Sequence, residues 1–210
     1  TVASLAIPWG EDSQSRGGYH LVWCRDLVET AGAMVALGAL DDARDVLCYL
    51  IATQQADGHW FQNQWLGGNA LWQGIQLDEA AFPVLLASAL HDRGALGSIS
   101  CKDMVRRALR FIAHEGPLTG QDRWEEDSGV NTFTLAVAIA ALVDGSTFLD
   151  GEAKEFVLLL ADNWNACLEE WTFVTDTSLA EKLGVAGYYI RIMPNNVLVH
   201  ADAQAEHVLI

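Results

Sequence analysis

The run Asp122-Arg123-Trp124-Glu125-Glu126-Asp127 sets two adjacent carboxylates behind a tryptophan, just ahead of a long apolar stretch. Cleavage of a glycosidic bond requires a carboxylic acid that can protonate the leaving oxygen. An aromatic wall serves that chemistry twice, by desolvating the acid and by stacking on a sugar ring. Acidic pairs are also common on solvated helix starts, where Asp and Glu complement the helix dipole. The pair alone therefore does not establish a site, and other stretches must carry the reading.

Two further clusters repeat the pattern. Trp23-Cys24-Arg25-Asp26 follows Gly17-Gly18-Tyr19-His20 and opens an apolar helical stretch. An adjacent Arg and Asp can grip vicinal hydroxyls, each of which both donates and accepts a hydrogen bond, or can simply be a solvated cap. Trp72-Gln73-Gly74-Ile75-Gln76-Leu77-Asp78-Glu79 again places a tryptophan, an amide and acids on a loop leading into a helix. Three such clusters, each just before an apolar helix, would converge at one end of a ring of helices. That convergence suits a neutral, hydroxyl-rich ligand.

Composition agrees. The chain has 210 residues, half of them hydrophobic, with a formal charge of −16 and eight tryptophans. That charge argues against nucleic acid and anionic membranes, which need basic faces, and no apolar stretch reaches membrane-span length uninterrupted. Cys24, Cys48, Cys101 and Cys167 are widely spaced with no CxxC pair, and Cys48 and Cys167 read as small apolar helix residues. The six histidines show no HxxxH or HExxH spacing, and no GxSxG elbow or phosphate-loop glycine string occurs. Neither a metal nor a cofactor is expected. The chain opens on Thr1 with no signal peptide, which leaves its compartment open.

The elements that must position the clusters are helical. Apolar periodicity predicts helices over residues 26–40, 41–53, 77–90, 100–114, 128–143 and 152–171, a short helix over 177–183, and a strand over 187–192. Pro83 should kink or break the third helix. Lys102, Arg106, Arg107 and Arg110 mark the solvent face of the fourth. Moderately polar helices alternate with nearly all-apolar ones, which suggests outer and inner layers in an α/α toroid. The string Gln54-Gln55-Ala56-Asp57-Gly58-His59-Trp60 reads as architecture, its Asp-Gly making a turn and its Trp packing the next layer. Asp41, Asp42 and Asp45 form a DDxxD string similar to that of terpene-type enzymes, where aspartates hold magnesium, but a helix N-terminus explains them more simply.

Taken in order, Ile7-Pro8-Trp9-Gly10, Gly17 through Asp26, residues 71–83 and Arg123-Trp124-Glu125-Glu126 resemble glycoside hydrolase family 15, the glucoamylases and glucodextranases, most closely its bacterial branch. Val174-Thr175-Asp176-Thr177 and residues 187–192 are similar to that branch as well. The resemblance implies an all-α (α/α)6 toroid, of which residues 1–210 would be roughly the first half to two-thirds, as one partial catalytic domain. It implies an exo-acting, inverting hydrolase that releases glucose from non-reducing ends of α-glucans, and an extracellular or periplasmic location like that of secreted relatives. Glu125 matches the general acid. Asp122, Trp124 and Glu126 match its neighbours in the site, and Arg25 and Asp26 match the pair that holds the terminal glucose. Tyr19, Trp23 and Trp72 match subsite aromatics, with Gln76 and Asp78 weaker matches. The family's catalytic base falls beyond Ile210, so this chain alone is expected to be inactive, and an unclosed ring would favour self-association through its exposed faces. Cys24 stands where the bacterial branch usually has Pro. The other readings are a non-catalytic toroid serving as a regulatory or interaction module, and a terpene-type enzyme using Asp41, Asp42 and Asp45.

Overall fold

The computed structural model describes residues 21–194. Three helical hairpins stand side by side. Helices α1 (Cys24–Ala36), α3 (Leu77–Asp92) and α5 (Thr132–Gly145) pack against one another, and α2 (Leu40–Thr53), α4 (Lys102–Glu115) and α6 (Gly151–Thr172) each back the helix before it. The first set is the inner layer and the second the outer, which is half of an (α/α)6 toroid. A short α7 (Ser178–Leu183) follows.

Composition separates the layers in the second and third hairpins, whereas α1 and α2 are about equally apolar. Helix α3 touches α1, α2, α4 and α5, and it is buried over most of its surface. Helix α4 by contrast buries only Met104, Val105, Ala108, Leu109, Phe111 and Ile112, and it shows Lys102, Arg106 and Arg110 to solvent. Of the kink or break expected at Pro83, the break does not occur: α3 runs on through it. The ring removes one ladder bond, and the packing around the helix holds the remaining turns in place.

Three two-stranded ribbons decorate the hairpins: β1 (Asn63–Gln64) with β2 (Ala70–Trp72), β3 (Gly129–Asn131) with β6 (Ile192–Pro194), and β4 (Phe173–Thr175) with β5 (Gly187–Tyr189). All are antiparallel. The strand expected over 187–192 is therefore two strands serving two ribbons. At the crossing, the Ile190 amide donates to the Thr172 carbonyl and the Ile190 carbonyl accepts from the Thr132 hydroxyl. The expected helix over 128–143 starts later, at Thr132. Residues 129–131 pair as β3 instead, and the Asn131 side chain caps the helix by accepting from the Thr134 amide. Cys48 lies on α2 but is exposed, so the apolar role expected of it does not hold; Cys24 and Cys101 are the buried thiols.

The Gln54-to-Trp60 string is architectural. Gln54 donates from one amide nitrogen to the Gly58 and Met104 carbonyls, and the buried Trp60 indole donates to the Leu50 carbonyl. Gly58 has φ +116°, and a Cβ there would stand 2.1 Å from the Arg107 carbonyl oxygen on α4. Asp41 and Asp42 occupy the exposed first turn of α2, whose N-cap is Ala39 with no side-chain cap bond. Their contribution is thus to the dipole rather than to a cap.

Replacing Gly58 by Ala should destabilise the chain by at least about 2 kcal/mol, because it combines a strained φ with a backbone collision. Gly67→Ala, in open space, should stay within about 0.5 kcal/mol of wild type. Urea unfolding of both variants measures the difference, and equal midpoints would contradict the assigned packing.

Candidate active site at the N-terminal ends of the inner helices

The three loops that lead into α1, α3 and α5 are stitched together by hydrogen bonds. The Trp23 indole donates to Oε1 of Glu125 at 3.0 Å, across 102 positions of sequence. Arg25 Nη1 donates to Gln76 Oε1 and to Asp78 Oδ2, each at 2.8 Å. The Gln121 amide donates to the Ile75 carbonyl, and the Leu77 amide to the Thr119 hydroxyl. The expected convergence of the clusters is thus made by direct contacts between the first and third, the first and second, and the second and third.

Glu125 does not stand on a helix start, as the spacing had suggested. Residues 122–127 form a turn, followed by β3, and Glu125 sits at its crest with φ +66°. Asp122, with no exposed surface, organises that turn. Its Oδ1 accepts from the Trp124 and Glu126 amides at 3.1 and 3.2 Å, its carbonyl accepts from the Glu125 amide, and its own amide donates to the Asp127 carbonyl. Opposite lies Arg191, whose side chain is mostly buried. It hydrogen-bonds Glu126 and Asp127 and keeps its Nε 3.5 Å from Asp122 Oδ2. The Glu126 bond, with Asp122 and Asp127 adding to it, raises the Arg191 pKa against the opposing effect of burial.

The aromatic that touches the Glu125 carboxylate is Trp23, itself buried. The Trp124 ring is 60% exposed and lies under the Arg123 guanidinium at 5.0 Å, an open face rather than a wall on the acid. Trp72 is likewise exposed, on β2. Its ribbon is anchored beside Trp23, because Gln64 of β1 bridges Val22 and Asn63 of β1 accepts from the Trp72 amide. Tyr19 lies outside the described residues.

Arg25 and Asp26 part company. Asp26 is half exposed, 3.8 Å from Arg25 Nε, whereas Arg25 is buried against α3. Gln76 and Asp78 hold Arg25, and Glu79 joins them. Its Oε2 accepts from the Arg25 amide at 3.0 Å, and its Oε1 lies 3.4 Å from Arg25 Nη1. Asp78 and Glu79 have no exposed surface. Burial, which the nearby Asp78 charge reinforces and Arg25 only partly offsets, pushes the Glu79 carboxyl up to about 8. Burial and the neighbouring Glu79 push the Cys24 thiol well above its ordinary range. By sequence, Glu79 stood only within the Trp72 cluster and Arg191 only within residues 187–192, and neither had a role of its own. The available signals were an acid doublet opening an apolar helix and a lone arginine in an apolar strand segment.

Inner helices that open on one shared cluster of carboxylates, amides and tryptophans define a helical toroid, with its candidate site at one end of the inner layer. The comparisons agree. Residues 55–204 match the model of glycosyl hydrolases family 15. Over 197 residues the chain is 37% identical to a glucoamylase of Clostridium sp. (strain G0005), covering 91% of this chain and 27% of that protein. The crystal structure of a bacterial glucoamylase complexed with acarbose superposes with TM-score 0.79 at 38% identity, over 90% of this chain and 28% of the other. The chain belongs to glycosyl hydrolases family 15. It spans about a quarter of the length of these relatives.

The raised Glu79 pKa gives stability a sign. Between the ordinary carboxylate value of 4.5 and about 8 the folded chain holds a proton that the unfolded chain has released. Folding is therefore weakened as pH rises through that window. Glu79→Gln, which keeps an acceptor for the Arg25 amide, should lose this component and unfold with a flatter pH dependence between pH 5 and 8. Denaturation of both proteins across that range tests it. Identical slopes would mean that Glu79 is ionised throughout.

Proposed function

We propose that this chain forms the acid-bearing part of an exo-acting, inverting glycoside hydrolase that releases glucose from the non-reducing ends of α-glucans. The observation that carries the reading is the Trp23–Glu125 hydrogen bond, which brings two separate sequence motifs of the family into one place. Family membership supports it, as does a relative at 38% identity that was solved with acarbose.

In this reading Glu125 gives its proton to the glycosidic oxygen as the bond breaks. The Trp23 N–H fixes one carboxylate oxygen, which leaves the other free to face the substrate. A water attacks the opposite face of the sugar, activated by a second carboxylate about 6.5–9.5 Å from the first. We assign that base to a part of the enzyme outside this chain, so residues 1–210 alone should not turn over. Asp26, half exposed beside the buried Arg25, holds hydroxyls of the terminal glucose together with Arg25. Gln76, Asp78 and Glu79 keep Arg25 in place. Trp72 and Trp124, with their exposed faces, supply stacking. Tyr19 completes the aromatic subsites, and Asp122 and Glu126 shape the acid turn, Glu126 being exposed enough to reach a hydroxyl.

Glu125→Gln keeps shape but cannot release a proton. In the enzyme expressed from its full-length reading frame it should cut maltotetraose turnover roughly a hundred- to ten-thousand-fold. α-Glucosyl fluoride, whose leaving group needs little protonation, should be largely spared. Glu126→Gln should weaken both substrates to a similar degree. If Glu126→Gln alone shows the leaving-group dependence, the two roles are exchanged.

Asp26→Ala should lower kcat/KM by about 2–4 kcal/mol in transition-state binding. A variant within threefold of wild type would remove Asp26 from the site.

A further inference from the structure

We propose that Arg191 is a positioning residue for the general acid, a role that rests on the hydrolase reading above. Four carboxylates, Asp122, Glu125, Glu126 and Asp127, fall within six residues of one turn. Crowded like charges repel, and Glu125 is held in a left-handed conformation that non-glycine residues rarely adopt. Something must hold such a turn closed. Arg191 is the cation placed to do so, bonded to Glu126 and Asp127 and paired with Asp122. The residues on both sides of Glu125 in the turn are therefore tied to one guanidinium, while Glu125 itself is left to Trp23. The turn's own arginine, Arg123, faces the Trp124 and Phe133 rings instead, at 5.0 and 4.8 Å.

The clamp has its own anchor. The Arg191 carbonyl accepts from Asn131 Nδ2 at 2.6 Å, and β6, which begins at the next residue, pairs with β3, which begins two residues after Asp127. Gly129 permits that close pairing. It has φ +152°, and a Cβ there would meet the Met193 carbonyl oxygen at 2.1 Å. The ribbon thus delivers a cation from 65 positions away to the turn that carries the acid.

The decisive measurement is the substrate dependence of Arg191→Ala in the enzyme from the full-length reading frame. With the acid displaced, kcat on maltotetraose should fall roughly a hundredfold while KM stays within about threefold, and α-glucosyl fluoride should lose less than about fivefold. Arg191→Lys restores one charge without the fork and should recover part of the loss on maltotetraose. Should the alanine variant not fold, the lysine variant is measured in its place, and it should show the same preferential loss on maltotetraose to a lesser extent. Equal losses on both substrates, or maltotetraose turnover within threefold of wild type, would overturn the positioning role. A wild-type enzyme inactive on both substrates would instead overturn the hydrolase reading itself.

Discussion

A carboxylate with no exposed surface must have its charge answered by the groups around it, and Asp122 is such a group. Two backbone amides of its own turn answer it from one side and a guanidinium from the other. The direction of residues 122–127, the left-handed backbone of Glu125 and the nearness of β6 all follow from that arrangement. That arrangement holds the turn from which Glu125 accepts the Trp23 hydrogen bond, the direct link between the loops ahead of α1 and α5.

The same solution recurs at α1 and α3. Arg25 is buried among Gln76, Asp78 and Glu79, so that a cation on one helix is neutralised by acids in the first turn of the next. Burial of an isolated charge would be prohibitive, but a paired and hydrogen-bonded one is tolerated and constrains how the two helices meet. With two acids facing one cation, burial keeps one of them, Glu79, protonated toward neutral pH. Asp26, Glu126, Trp72 and Trp124 are the exposed groups that this buried frame carries.

The outer helices contribute by different means. They carry the solvent-facing charges, and their inner faces back the apolar helices. The Gln54-to-Trp60 string fixes the end of α2 against α4 through a close backbone approach at Gly58.

Much of this was legible in the letters. Apolar periodicity marked the six hairpin helices to within a few residues at most ends, the contrast of polar and apolar helices marked the two layers in the second and third hairpins, and the Trp-acid clusters marked loops that the fold brings together. Those features are local, because a helix's period and its solvent face are written within a dozen residues. What tertiary structure alone decided are pairings between residues far apart in sequence. Trp23 rather than Trp124 meets Glu125, Gln76 and Asp78 serve Arg25, and Arg191 closes the acid turn. Residues 187–192 divide between two ribbons because their partners, near Thr172 and Asn131, compete for them. Such choices depend on which buried charge finds which counter-charge once the helices have packed, and no spacing within one segment encodes that.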